Sequence, residues 1–205
     1  MDTPNIIPIQ KNQDSIKDTI LTNVIKMLTN RGLLEKSKLE ENIKKLLDSK
    51  PDDFSYEVKT LKGEIIVKLL LQNVTTVSKT TGIAEFLTAH KNKDSILVVK
   101  NITKTPLNIV TTRYEKTQLF LEKDLMIDKV NCNLVPKFEV LNEEEKQSYF
   151  DKYNVTKSGS LKISYKDPMV KYYGAKPGDV VRVIRVSPTS GFTVSYRLVV
   201  KKELN

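Results

Sequence analysis

The sequence predicts a two-domain protein, with an α/β domain in residues 1–130 and a compact α+β domain in residues 131–205. Three observations support this prediction. Apolar residues first recur at helical spacing, and two apolar runs separated by a helical pattern then indicate a parallel βαβ unit. Strict alternation around a turn near the end indicates a β-hairpin. The first domain is expected to contain a mixed sheet with flanking helices.

Two amphipathic helices are predicted at the start of the first domain. In residues 14–30 the apolar side chains fall on one helical face, and Gly32 follows as a terminator. Ser37 and Glu40 have the spacing of a capping box. A second helix is therefore predicted to begin at Ser37 and to end before Pro51, which cannot continue it.

Three further stretches predict the sheet of the first domain. Residues 65–71 and 95–100 have the composition of central strands covered on both faces, and the helical pattern of residues 82–90 lies between them. This order implies parallel strands joined by a right-handed crossover. The elements expected next are a loop at residues 101–106, a short helix at 107–111 and a last strand at 117–121.

Two helices are predicted in the second domain. Asn142 precedes three glutamates whose charge suits a helix N-terminus, so it is expected to cap a helix. The apolar side of that helix is predicted to comprise Tyr149, Phe150 and Tyr153. Asp167 and Pro168 have the pattern of a helix start, and Gly174 can take the left-handed conformation that ends a helix. A one-turn helix is therefore expected between them.

A β-hairpin is predicted to complete the second domain. Residues 176–179, Lys-Pro-Gly-Asp, are typical of a tight turn, and residues 180–186 are rich in β-branched side chains. Residues 192–200 alternate as a half-buried return strand. On a regular strand Arg182 and Arg185 face opposite sides of the sheet, because they lie three residues apart.

Charge and composition limit the classes of partner and site. Residues 156–205 hold ten basic and three acidic side chains, a net charge of +7 within a chain of net charge +9. This balance favours a polyanion or an acidic protein face as neighbour, although a lysine-rich solvated surface explains it equally well. With one cysteine, Cys132, and one histidine, His90, neither a disulfide within the chain nor a thiolate–imidazole zinc site can form. No apolar run approaches the ~20 residues of a membrane span.

One pattern imitates the metal site of a nuclease. Glu57 and Lys59 would share one face of a strand, but Asp52 would lie roughly 15 Å from Glu57 in an extended segment, too far to share one metal ion. The alternative is that these are solvent-facing charges near an edge strand. The sequence also has no glycine-rich phosphate loop and no Gly-x-Ser-x-Gly motif. No catalytic residue, metal ligand or cofactor is therefore predicted.

The last third of the chain carries an ordered set of short motifs. In chain order they are Leu134-Val135-Pro136-Lys137, Asp167-Pro168, Tyr172-Tyr173-Gly174, Lys176-Pro177-Gly178, Val180-Val181-Arg182-Val183-Ile184-Arg185, Ser187-Pro188-Thr189-Ser190-Gly191 and Tyr196-Arg197. The set resembles the C-terminal signature of the small fifth subunit that the eukaryotic nuclear RNA polymerases share, and of its archaeal counterpart. Two positions depart from it: Phe138 stands where histidine is usual, and Pro188 where glutamate is usual.

The resemblance implies a non-catalytic subunit of a multi-subunit DNA-directed RNA polymerase that acts in transcription. The first domain would be a jaw domain bordering downstream DNA, which it would bind weakly and without sequence preference. Lys104, Thr105 and Pro106 would approach the DNA backbone, although Leu107 and Asn108 depart from the family's loop. An equally weighted alternative, compatible with the first, is that Pro106 begins a helix. The second domain would be an assembly domain that docks on the largest subunit. An alternative of another class is a free-standing nucleic-acid-binding protein or an inactivated nuclease.

Eight residues are expected at the partner-binding surface. They are Asp167, Pro168, Tyr172, Tyr173, Gly174, Arg182, Arg185 and Arg197. The three arginines would form ion pairs with the largest subunit, and the alternative is that they are solvated charges on the strands. One tyrosine of the adjacent pair is expected in the core and the other at the interface. The first domain matches cellular members poorly, which indicates a divergent version such as that of a large cytoplasmic DNA virus of the African swine fever type. The expected location is then the host cytoplasm and the virion, or the nucleus for a cellular member. No membrane association or small-molecule substrate is expected.

Overall fold

The computed structural model describes residues 12–49, 51, 53–77, 82–132, 135–187 and 189–201. Two compact units make up the chain: the first extends to Ile127 and the second begins at Asp128. Asp52, Leu134 and Pro188, on which parts of the sequence interpretation rest, lie outside the described residues.

Two helices begin the described part of the first unit. Helix α1 (Gln13–Asn30) buries its apolar face, as its pattern predicted, and Gly32 follows it with φ 71°. Helix α2 (Leu39–Asp48) ends before Pro51, also as predicted. Within the first unit, the Nδ2 of the buried Asn23 donates to the carbonyl of Leu125 at 2.7 Å, which ties α1 to a short later helix.

The predicted capping box at Ser37 and Glu40 is wrong. Ser37 lies inside a 3₁₀ turn (Lys36–Lys38), and α2 begins after Lys38 without a side-chain cap. Because the turn already places Ser37 in a helical conformation, its hydroxyl is not held at the extended position from which an N-cap side chain reaches back to the helix.

A four-stranded mixed sheet forms the centre of the first unit. Its strands are β1 (Ser55–Thr60), β2 (Gly63–Val74), β3 (Asp94–Ile102) and β4 (Thr117–Leu121), in the order β1-β2-β3-β4. Strand β1 is antiparallel to β2, whereas β2, β3 and β4 run parallel. Helix α3 (Ile83–Ala89) joins β2 to β3, which confirms the predicted βαβ unit.

The interior of this sheet explains why its central strands are apolar. Five consecutive residues of β2, from Ile65 to Leu69, are buried, as expected for a strand covered on both faces. Lys68 is the polar member of this run, and its Nζ donates to the carbonyl and the carboxylate of Asp53. That hydrogen bond lowers the pKa of Asp53 below its ordinary value.

The predicted loop at residues 101–106 is wrong. Strand β3 continues through Ile102, and helix α4 (Lys104–Arg113) begins after Thr103. Lys104, Thr105 and Pro106 therefore form the first helical turn. A proline fits there because the first-turn amides of a helix have no partner within it. The short helix α5 (Glu122–Leu125) was not predicted.

The second unit contains a four-stranded sheet with one helix on each face. Its elements are β5 (Lys137–Val140), α6 (Glu143–Tyr153), β6 (Lys162–Ser164), α7 (Pro168–Tyr173), β7 (Val180–Ser187) and β8 (Gly191–Val200). The strand order is β5-β7-β8-β6, and β7 and β8 form the predicted hairpin. Strand β5 was not predicted.

Two apolar clusters hold the helices against this sheet. Met169 and Val170 of α7 pack on one face against the inward side chains of β5, β6, β7 and β8. Tyr149 of α6 packs on the other face against Leu141, Val180 and Leu198. Phe138, where the resembled family usually has histidine, is buried in the α7 cluster. A core phenylalanine there needs no hydrogen-bond partner.

Candidate protein-interaction site

Helix α7 has both predicted ends. The Asp167 Oδ1 accepts hydrogen bonds from the backbone N–H groups of Met169 at 2.8 Å and Val170 at 3.3 Å, and Pro168 occupies the first turn. Gly174 ends the helix in the left-handed conformation, with φ 69° and ψ 23°. Asp167, Pro168 and Gly174 thus fix the shape of this segment, and any effect they have on a partner would act through that shape.

The adjacent tyrosines of α7 have different environments. Tyr172 is 5 % exposed and belongs to the interior of the unit, whereas Tyr173 is half-buried. Their ring centroids lie 5.3 Å apart in an edge-on arrangement. Burial raises the pKa of the Tyr173 hydroxyl. The interface role predicted for one of the pair therefore falls on Tyr173, and it stays a prediction.

Arg182 is engaged within the second unit. It lies directly across from Glu139 of β5, and its Nε and Nη2 contact the Glu139 Oε2 at 2.7 and 2.5 Å. Lys137 contacts the other carboxylate oxygen at 2.9 Å. The hydrogen bond from Lys137 lowers the pKa of Glu139 most, with a further contribution from Arg182. This half-buried network joins β5 to β7.

Arg185 and Arg197 lie on the opposite face of the hairpin from Arg182. Arg182 pairs with Tyr196, whereas Arg185 pairs with Thr193 and Arg197 with Val181, in an uninterrupted register. This confirms that Arg182 and Arg185 face opposite sides. Arg185 is exposed. The Nε of Arg197 is buried and has no hydrogen-bond partner among the described residues, a condition that costs about 1–3 kcal/mol for a buried polar group.

The outer part of the hairpin exposes an apolar surface. We call residues 184–187 and 191–194 the hairpin tip. Here Ile184 pairs with Val194, and Val186 pairs with Phe192. Val186 is 80 % exposed, Phe192 70 % and Val194 48 %. The tip thus presents apolar side chains to solvent from one face of the hairpin.

The half-burial predicted for Phe192 and Val194 is wrong. Strand β5 reaches only to Ile184 along β7, and β6 pairs only with Leu198 to Val200 of β8. The α6 cluster likewise covers the other end of this face. The alternation of residues 192–200 carried the signal for one apolar face, but it did not show how far the covering elements reach.

An aromatic group continues the apolar face from the hairpin tip. The ring of Tyr196 stacks on that of Tyr149, with centroids 4.8 Å apart, and Tyr153 lies 5.7 Å from Tyr196. Tyr153 was predicted on the apolar side of α6, yet it is 51 % exposed. Since Tyr196 and Val194 are two residues apart on β8, they share this face.

The three DNA-proximal candidates belong to the first unit. Lys104 and Thr105 are exposed at the start of α4, and Pro106 is buried beneath them. This turn offers the unpaired backbone N–H groups of a helix N-terminus together with a lysine, which suits a phosphate oxygen. Contact between this turn and DNA stays a prediction.

The nuclease-like residues do not form a metal cluster in the described part of the chain. Glu57 and Lys59 lie on β1, where their strand partners are Ile66 and Glu64. Across the described ranges no group of three or more histidine, cysteine, aspartate or glutamate side chains could hold a metal ion. His90 is the C-cap residue of α3, and its Nδ1 lies 3.0 Å from the carbonyl of Phe86. None of the described helices is both long enough and apolar enough to span a bilayer.

Comparisons with known proteins identify the family. The model of the family described as RNA polymerase Rpb5, C-terminal domain, matches residues 127–199. DNA-directed RNA polymerase subunit 5 of Acanthamoeba polyphaga mimivirus is 32 % identical over 206 residues, which cover 96 % of this chain and 98 % of that relative. Subunit Rpo5 of Methanocaldococcus jannaschii is 48 % identical over 69 residues, 34 % of this chain and 88 % of its own.

A eukaryotic relative matches over a smaller share of its length. The rpabc1 subunit of DNA-directed RNA polymerases I, II, and III of Dictyostelium discoideum is 32 % identical over 113 residues, 53 % of this chain and 57 % of its own. The family inferred from the motifs of residues 134–197 is therefore confirmed. Through its match to nearly the whole viral relative, the chain belongs to the family of DNA-directed RNA polymerase subunit 5.

Proposed function

We propose that this chain is a non-catalytic subunit of a multi-subunit DNA-directed RNA polymerase and that its second unit docks on the largest subunit. The names of its viral, archaeal and eukaryotic relatives support the polymerase part of this proposal. The observation that carries the docking part is the exposed apolar surface of the hairpin tip.

The hairpin tip has the properties of an interface anchor. Val186, Phe192 and Val194 are contiguous across the two strands, and together with Tyr196 and Tyr153 they extend an apolar surface along one face. Contiguous exposed apolar surface commonly marks a protein–protein contact. Aromatic side chains near its centre are the usual energetic anchors of such contacts.

Co-purification with the polymerase tests the docking surface. The full chain carrying Phe192→Asp should lose most of its binding to the largest subunit, because a carboxylate would be buried without a partner. Leu61→Asp is a matched control, since Leu61 is 67 % exposed and belongs to the first unit. If both variants lost binding to the largest subunit equally, or if neither variant lost it, the result would contradict docking through the hairpin tip.

We propose further that the first unit borders downstream DNA through the start of α4. Lys104 and Thr105 offer one charge and one hydroxyl, so contact would be to the DNA backbone and weak without the rest of the polymerase. A photo-crosslinker placed at Lys104 in the assembled enzyme should label template DNA downstream of the active centre. The same group at Lys36, exposed elsewhere in the first unit, should not.

The absence of catalysis by the subunit itself is also part of the proposal. It is supported by the described residues, among which no group of three or more histidine, cysteine, aspartate or glutamate side chains could hold a metal ion. Purified chain incubated with DNA or RNA and Mg²⁺ or Mn²⁺ should leave the nucleic acid intact. Cleavage that disappears with Glu57→Ala would favour a nuclease over a polymerase subunit.

A viral origin is the last part of the proposal. The viral relative matches 96 % of this chain, whereas the eukaryotic relative matches 53 %. We therefore favour a polymerase of a large DNA virus, of which the African swine fever type is one kind, located in the host cytoplasm and the virion. Fractionation of infected cells tests this, because a cellular member would be found in the nucleus.

A further inference from the structure

The outer edge of β8 carries backbone groups that no described strand satisfies. Along a strand, alternate residues direct their N–H and C=O groups to opposite sides. On the β7 side, the N–H of Val199 donates to the backbone carbonyl of Asp179 at 2.8 Å. On the β6 side, the N–H of Leu198 donates to the backbone carbonyl of Leu161 at 2.7 Å. Val194 and Tyr196 alternate in step with Leu198, so their backbone groups also point away from β7.

No described strand lies beside this part of the edge. Strand β6 pairs with Leu198, Val199 and Val200 only. From Val194, at the inner end of the hairpin tip, to Tyr196, the N–H and C=O groups that point away from β7 therefore form a short edge that no described strand covers. Such edges are the usual templates for adding a strand from another chain.

The side chains along this edge define what would fit it. Phe192, Val194 and Tyr196 make one face apolar and aromatic. The other face carries Arg197, a partly exposed positive charge that follows Tyr196 along β8. A strand that alternates apolar and acidic residues would complement both faces, with a carboxylate positioned to accept from the arginine fork.

We propose that an extended segment of the largest polymerase subunit, with alternating apolar and acidic residues, adds to β8 beside Val194 and Tyr196. The segment would continue the sheet in line with β6 and would place a carboxylate near the partly exposed guanidinium of Arg197. This inference rests on the proposed function, because it takes its occupant from the polymerase. It goes further in specifying backbone pairing as the mode of recognition.

Hydrogen exchange of the full chain, free and bound to the largest subunit, tests the pairing. The amides of Val194 and Tyr196 should exchange rapidly in the free chain and at least about tenfold more slowly in the complex. The amides of Ser195 and Arg197 point towards β7 and should be protected in both states, which provides an internal control. Unchanged exchange at Val194 and Tyr196 in a stable complex would overturn the inference.

A proline substitution tests the same pairing by affinity. Val194→Pro removes an N–H that β7 does not use, and proline is tolerated on an edge strand whose N–H faces solvent. Val194→Thr keeps the N–H and the β-branched shape. We expect roughly tenfold weaker binding for the proline variant than for the threonine variant, from one lost backbone hydrogen bond and a blocked strand. The protection of Ser195 reports whether the hairpin remains folded.

The outcomes separate this inference from the proposed function. A wild-type chain that binds no polymerase subunit would overturn both. If Val194→Pro keeps an intact hairpin and binds as tightly as the wild type, that result would overturn the strand addition alone. Protection of Val194 and Tyr196 that grows with the concentration of the free chain would identify a second copy as the occupant, and would likewise overturn it.

Discussion

The carboxylate of Glu139 lies between two cationic side chains and contributes to the stability of the second unit. Its pKa lies below the ordinary glutamate value because of Lys137 and Arg182. At pH values between this lowered pKa and the ordinary glutamate pKa, the folded state therefore binds fewer protons than the unfolded state. The stabilisation is fully present above about pH 5, and it decreases as the pH falls through the lowered pKa.

Glu139→Gln should remove this pH dependence. Above about pH 5 the variant should have a lower free energy of unfolding than the wild type, by up to ~1 kcal/mol because the pair is partly solvated. Near pH 2 the two proteins should converge, since the wild-type carboxylate is then protonated. Urea unfolding at several pH values measures the difference. A difference that stays constant across this range would show that the carboxylate charge does not stabilise the unit.

Gly174 is the residue whose backbone most constrains substitution in α7. At φ 69° a β-branched side chain is strained, so Gly174→Val should reduce the free energy of unfolding by at least ~1 kcal/mol. Gly159→Ala is the matched control. Gly159 has no positive φ, and an added Cβ would meet its nearest atom, the Thr156 Oγ1, at an ordinary 3.4 Å. Thermal or denaturant unfolding should therefore distinguish the two variants clearly.

Predictions for single residues were correct where the conformation depends only on neighbours in the sequence. The ends of α7 at Asp167 and Gly174 follow from the chemistry of three or four adjacent residues, and the structure contains both. The ion pair of Arg182 and the Arg197 Nε, which has no hydrogen-bond partner among the described residues, could not be predicted from the sequence. Each depends on which strand lies alongside, and β5 is a four-residue strand that the sequence did not reveal.

At the scale of elements, two similar sequence patterns gave different helix starts. Asn142 and Glu145 form a capping box at α6, with the Glu145 N–H donating to the Asn142 side chain at 2.8 Å and the Asn142 N–H donating to the Glu145 side chain at 3.0 Å. Ser37 and Glu40 have the same spacing and form none. What differs is the conformation of the first residue: extended at Asn142, but inside a 3₁₀ turn at Ser37.

This difference predicts unequal effects of two alanine substitutions. Asn142→Ala should lower the free energy of unfolding of the second unit by about 1 kcal/mol, the usual cost of a lost N-cap. Ser37→Ala should change stability by less than roughly 0.5 kcal/mol, as at a surface position without special contacts. Denaturant unfolding of both variants measures this. A larger effect at Ser37 would show that its hydroxyl caps α2 after all.

The predicted loop at residues 101–106 failed for a related reason. Asn101 and Pro106 favour turns by propensity, but strand pairing extends β3 to Ile102 and Pro106 fits a first helical turn. Long elements such as α1, β2 and the β7–β8 hairpin were predictable because the residues that they bury must be apolar. The spacing of those apolar residues along the sequence then reveals the type of element. Their ends were less predictable, because neighbouring elements decide where pairing stops.

At the scale of the whole molecule, the two units suggest separate tasks. The Rpb5 C-terminal family model matches residues 127–199, which lie almost entirely in the second unit. A fragment of residues 128–205 should retain binding to the largest subunit, whereas residues 1–127 should not. Pull-down tests this, with circular dichroism to confirm that each fragment is folded. Binding carried by the first fragment alone would reverse the proposed assignment of tasks.

The hairpin tip also bears on the life of the chain before assembly. Before assembly, Phe192 and Val186 are exposed to solvent next to a strand edge that no described strand covers, and this combination favours self-association into aggregates. Arg185, on the reverse side of the same ribbon, provides a repulsive charge that discourages such stacking. Chaperones recognise exposed apolar segments of this kind. If the hairpin tip docks on the largest subunit as proposed, the amount of soluble chain would be limited by the supply of that subunit, which would help to keep the enzyme's components in proportion.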